Sequence, residues 1–135
     1  MNDNVKLLNF IYQNSQMGVE TIEQLEKIVE DKDFKRYLKE KYEGYCKIHN
    51  SHGYDERGIG SFEKIRTYLM INMQTLTDKS TSHIAEMMMI GSTMGIINAI
   101  RNIADYNHAK KDIIKLMETL KAFEEKSYGD LQKFI

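Results

Sequence analysis

The sequence predicts an all-α bundle: four long helices, with one shorter helix crossing over between the second and third. Three observations carry that reading. The 135 residues include no proline and are well supplied with Met, Lys, Glu and Ile, a composition that favours helix. Apolar residues recur at alternating spacings of three and four over most of the chain, the seam pattern of bundle helices. No stretch shows the period of two that marks a strand. One domain spanning 1–135 is expected, without internal repeat, low-complexity tract or linker.

The elements follow in order. Asp3 to Glu30 reads as the first long helix, with Leu8, Ile11, Ser15, Gly18, Ile22, Leu25 and Val29 as its seam. A break at Asp31 to Asp33 follows, where Asp33 is the expected N-cap of the second helix. That helix carries Phe34, Leu38, Lys41, Tyr45, Ile48 and His52 on one side. So short a break makes the two helices antiparallel neighbours. Gly53 to Gly60 holds three glycines and reads as a loop. Ser61 then opens the shorter helix, which presents Phe62, Ile65, Leu69, Met73 and Leu76 and spans roughly 25 Å at about 1.5 Å per residue.

Ser80 to Tyr106 is the central helix, around which the rest is expected to pack. Met87, Gly91, Gly95 and Ala99 share one face, and their small size predicts close approach of a neighbour. Met89, Ile90, Ile96, Ile97 and Ile100 make the opposite side apolar too, the pattern of a helix enclosed on both sides. After a turn near Asp105 to Asn107, the last helix runs from about Ala109, with Ile113, Met117, Leu120, Glu124, Ser127, Leu131 and Phe134 as its seam.

Composition bounds the function. A net charge of −1, with no basic stripe, argues against nucleic-acid and membrane-surface partners. Cys46 stands alone, which excludes an internal disulfide and a cysteine zinc cluster and suits a reducing cytoplasm. The start of the chain lacks the shape of a signal peptide, and the apolar run from Ile84 to Ile100 is too short and interrupted for a bilayer span. No phosphate-binding glycine loop and no nucleophile elbow is present.

Leu8-Asn9 near the start, Gly18 within the first helix, Gly60-Ser61 before the short helix and Gly91 in the third long helix resemble a bacterial family of ferritin-like bundles catalogued as a domain of unknown function. More distantly the chain is similar to the rubrerythrin and ferritin superfamily. The resemblance implies a ferritin-like four-helix bundle with a crossover helix, and, for the superfamily, two iron ions held between the helices. Such a site takes a carboxylate from each of two helices and Glu-x-x-His from each of the other two. The pattern is not met here. Glu20 lies on the solvent side of its helix, with Val19 turned inward instead. Glu43 is followed three residues later by Cys46, and Ser92, Thr93 and Met94 stand where relatives carry acid and histidine. Asp105 to His108, the one acid-x-x-His, straddles a turn.

Two charged residues occupy seam positions where apolar ones belong: Lys41 between Leu38 and Tyr45, and Glu124 between Leu120 and Ser127. Both fall near mid-helix, as do Ser15, Gly18, Gly91 and Gly95. They are expected to approach each other as a buried polar pair at the middle of the bundle, or to snorkel outward along their stems. Should the chain bind a metal, Glu26, His49, His52 and Glu124 are the candidate ligands. Met87, Met88 and Met89 point in three directions and so read as core filler rather than as soft ligands. The function expected is a non-catalytic scaffold or interaction protein, without cofactor and forming a homodimer, in which the outer side of the central helix is covered by the crossover helix or by the second copy. The alternatives are a divergent metal protein, an oxidase or metal store using iron or another transition metal, and a sensor of a small apolar ligand beside Gly91 and Gly95.

Overall fold

The computed structural model describes residues 2–49, 76 and 78–135. They are all-helical: α1 (Asp3–Leu25), α2 (Lys32–His49), α3 (Thr81–Asp105) and α4 (Lys111–Leu131), the last closed by a 3₁₀ turn at Gln132–Phe134. The crossover helix expected over residues 61–76, and the glycine loop before it, lie outside the described residues apart from Leu76. No described helix is long and apolar enough to cross a membrane.

Short polar residues start three of the described helices, and Lys110 precedes the fourth without a side-chain cap. Asn2 accepts from the Val5 amide at 2.9 Å and Ser80 accepts from the His83 amide at 3.2 Å, each satisfying a donor that the first helical turn leaves open. The cap of α2 is Asp31, whose Oδ1 accepts from the Phe34 amide at 2.8 Å; the expected cap, Asp33, lies inside the first turn and faces Arg36 across 3.6 Å. The helix thus begins sooner than expected. Helix α1 also stops sooner, at Leu25 instead of Glu30. Its end tightens through i−3 bonds from Lys27 to Gln24 and from Ile28 to Leu25, which reverses the chain while keeping Val29 in the core.

Side-chain contacts fix the helix directions. Tyr42 reaches Glu23 at 3.3 Å, and Tyr45 lies against Gly18, so α1 and α2 are antiparallel. Phe34 meets Phe134 at 4.8 Å between ring centroids while Tyr45 bonds Glu124, so α2 and α4 are antiparallel too. The turn from Tyr106 to Lys110 folds α4 back along α3. The start of α1 clasps that turn: Asp3 accepts from the His108 amide at 3.0 Å and Asn4 from the Lys110 amide at 2.7 Å. It follows that α2 and α3 point the same way, and that the end of α2 and the start of α3 lie at opposite ends of the bundle.

The seams meet in one core. Ile11, Ile22 and Leu25 of α1, Phe34 and Leu38 of α2, Ile84 and Met87 of α3, and Met117, Leu120 and Leu131 of α4 are all buried. Each such side chain contributes about 1.5–3 kcal/mol of transfer free energy. Helix α3 has two unlike sides. Its small-residue side is buried, but Ile90, Ile97 and Ile100 on the other side are 41%, 43% and 50% exposed. The crossover helix, one of the two covers expected for that side, lies outside the described residues.

Candidate functional site

The middle of the bundle is polar. Lys41 is 5% exposed and Glu124 is 2% exposed, so neither head reaches solvent by snorkelling. Burial of a charge is tolerated only when other groups replace water. Here they do. The Lys41 ammonium donates to the Ser127 hydroxyl, which in turn donates to the Phe123 carbonyl at 2.8 Å. Nζ also lies 4.8 Å from the Tyr45 ring centroid and 4.7 Å from that of Phe123, within cation–π range of both. Glu124 accepts a hydrogen bond from the Tyr45 hydroxyl. The ion pairs among the described residues are Arg36–Asp33, Lys121–Glu125 and Lys126–Asp130, each within one helix. The two heads expected to approach each other line one cavity, and within it their bonds go to Ser127 and Tyr45.

The spacing explains the cluster. Lys41 and Tyr45 are four apart on α2, and Glu124 and Ser127 three apart on α4, so each pair shares a face. Antiparallel packing then sets Lys41 against Ser127 and Tyr45 against Glu124. The arrangement shifts titration. Burial pushes the Lys41 ammonium below the usual lysine value, with Glu124 and Asp130 opposing. Burial, reinforced by the Glu124 carboxylate, pushes the Tyr45 phenol well above the usual tyrosine value. Tyr37, which donates to the Ser127 carbonyl at 3.3 Å, is raised as well, chiefly by burial.

Two spaces adjoin Lys41. One, of about 30 Å³, lies among Asn14 and Gly18 of α1, Tyr45 of α2, Gly91 and Ser92 of α3 and Glu124 of α4. The other, of about 90 Å³, lies between α2 and α4 beside Tyr37, Glu40, Lys126 and Asp130.

Two glycines make room for an aromatic ring of a neighbouring helix. A Cβ on Gly18 would stand 2.5 Å from the Tyr45 ring, and one on Gly44 would stand 2.4 Å from the Phe123 ring. At Gly95, by contrast, a Cβ would meet only Glu124 Cγ, at 4.0 Å. Gly91, Gly95 and Ala99 are buried as a row on α3, with Glu124 of α4 against Gly95, while Gly18 and Gly44 hold aromatic rings. Gly44 was invisible in the sequence because its contact, Phe123, lies on a distant helix. Asn14, too, stands beside the Ser15 seam position and carries no periodic signal.

Of the four candidate metal ligands, two have described side chains, and they lie apart. Glu26 is exposed at the end of α1 while Glu124 is buried within α4. The His49 side chain and all of His52 lie outside the described residues. Among the described residues no three of His, Cys, Asp and Glu gather as a metal site would require. The donor set at the cavity does not fit an iron centre either, since its single carboxylate shares the space with an ammonium group. Cys46 is a free, half-buried thiol. Comparison with known proteins adds no relative: no family model matches the chain, and no curated protein or solved structure shows significant similarity to it.

Proposed function

We propose that this chain is a non-catalytic, ferritin-like bundle that acts as an interaction protein and pairs with a second copy of itself through the outer face of α3. The observation that carries the reading is the exposed stripe of Ile90, Ile97 and Ile100. With Thr93 and Ala104, also exposed, it keeps the three-and-four spacing of a helix seam over about four turns. Soluble chains seldom leave such a stripe open without a binding purpose. Exposed charges bracket it, Glu86 toward the start of α3 and Arg101 toward the end. A two-fold pairing of antiparallel α3 helices sets the acidic end of one copy over the basic end of the other, whereas a parallel pairing opposes like charges. The parallel course of α2 and α3 supports the ferritin-like connection, which requires a crossover between them. The polar centre supports a bundle without a metal, because Lys41 supplies there the positive charge that a cation would otherwise bring.

Sedimentation velocity over a concentration series tests this. The wild type is expected to pass from monomer to dimer, and Ile97→Glu to remain monomeric with the same helical circular dichroism. A wild type that stays monomeric at several hundred micromolar would overturn the reading. Elemental analysis of the chelator-free protein is the companion measurement. Near-stoichiometric iron, manganese, zinc or copper would replace it with the metal-protein alternative.

A further inference from the structure

Asn14 projects from α1 into the middle of the bundle, where it is 2% exposed, and its Nδ2 has no hydrogen-bond partner among the described residues. Buried donors are nearly always satisfied, by protein or by ordered water. Asn14 lines the cavity of about 30 Å³ together with Lys41, Glu124 and Ser92, and Gly91 contributes no side chain to fill it. That volume accommodates one water molecule. The groups around it are complementary to one. Lys41 uses one of its three N–H groups on Ser127, leaving donors available. Glu124 receives Tyr45 on one oxygen, Oε1, leaving acceptor sites on the carboxylate. An anion would be repelled by Glu124 and a cation by Lys41. A neutral molecule of one heavy atom that both donates and accepts suits the space.

We infer that this cavity is a binding site for a single water, which accepts from Asn14 and Lys41 and donates to Glu124, so that the buried ammonium and carboxylate form a water-bridged pair. Its second O–H is directed to the Ser92 hydroxyl, which gives the molecule four partners from four helices. The site differs from the self-association face in location and chemistry and does not depend on it.

The test is a crystal structure of the full chain at a resolution that shows ordered water, with water-to-protein magnetisation transfer measured in solution. The expected result is a density peak about 2.7–3.2 Å from Asn14 Nδ2 and from a Glu124 oxygen. Transfer from a long-lived water to the Asn14 side-chain amide protons is expected with it. Asn14→Leu should lose the density peak while keeping the helical fold. Should that variant fail to fold, the wild-type measurements decide alone. An empty cavity with Asn14 turned onto a protein acceptor overturns the inference, and so does a bromide soak that places an anomalous peak in the site. In the second case the site is one for anions.

Discussion

Gly18→Ala probes whether the polar centre depends on the close approach of α1 and α2. The new methyl would stand 2.5, 2.6 and 2.7 Å from three atoms of the Tyr45 ring. That ring has little room to retreat, since Phe123 meets it edge-on at 4.9 Å between centroids and its hydroxyl is bonded to Glu124. Overpacking of this kind costs about 1–3 kcal/mol. A ring displaced far enough to release Glu124 leaves a buried acceptor without its donor, for about 1–3 kcal/mol more. Replacing a helical glycine by alanine returns about 1 kcal/mol. The net loss is then about 1 kcal/mol if the Tyr45–Glu124 bond survives and about 3 kcal/mol if it breaks. Gly129→Ala is the control, because nothing lies within 4 Å of the added Cβ and only the propensity gain remains. Urea unfolding followed by helical circular dichroism reads both variants. The reasoning fails if Gly18→Ala equals or exceeds the wild type in stability while Gly129→Ala shows its expected gain.

Three further outcomes follow from the same geometry. Tyr45→Phe keeps the ring but strips Glu124 of its phenol donor, for a loss of about 1–3 kcal/mol that Glu124→Gln in the same chain should partly restore; equal losses in the single and double variants would refute the coupling. Asp31→Ala removes the cap of α2 and should cost about 1 kcal/mol. Asp33→Ala, which breaks only an exposed pair, should stay within about 0.5 kcal/mol, and the reverse ranking in thermal unfolding would contradict the cap assignment. In alkaline solution two opposing limbs are expected. Lys41 has a lowered folded pKa, so the unfolded chain holds that proton longer and stability rises with pH up to the ordinary lysine value of about 10.4. Tyr37 and Tyr45 have raised folded values, so stability is lost above about pH 10, where the unfolded phenols ionise first. Urea midpoints across this range should show Lys41→Met flattening the rising limb, and an unchanged profile would count against the assignment.

Much of the fold was legible because helix seams are local. Every described residue of the expected α2 seam is buried, and in α4 only Phe134 falls short. The same pattern singled out Lys41 and Glu124, since a charge within an apolar series is an anomaly visible in one dimension. Their partners were less accessible. Ser127 and Tyr45 were recognised as seam residues, but which group faces which depends on the stagger of two helices separated by some 80 positions of sequence. The C-terminal end of α1 and the cap of α2 were misplaced because Asp31 and Asp33 are equally good caps in isolation. The choice between them is made by the position from which Phe34 enters the core. The cover of the outer side of α3 stays open in the sequence for a related reason. An apolar side shows that something is to be covered, and it carries no record of whether the cover belongs to the same chain.

That last distinction gives Ile97→Glu a sign that depends on concentration. Ile97 is 43% exposed and lies on the side of α3 opposite the buried row of Gly91, Gly95 and Ala99. In dilute solution, where the proposed pairing is absent, the substitution exchanges a half-exposed apolar side chain for a charged one that favours helix. Its effect should stay within about 0.5 kcal/mol, as for surface changes in general. At high concentration the wild type gains stability by mass action and the variant does not, so the gap between them should widen by about 0.7 kcal/mol per chain (about 1.4 kcal/mol per dimer) for each tenfold rise in concentration above the dissociation constant. The polar centre provides the contrast. Gly18→Ala acts within one chain, so its loss should be the same at every concentration, and it should add to that of Ile97→Glu in the dilute limit. Melting curves of the two single variants and the double variant over a hundredfold dilution series separate these contributions. A concentration-independent loss of several kcal/mol for Ile97→Glu would mean that the isoleucine face is sealed within the chain itself, and the pairing surface would have to be sought elsewhere.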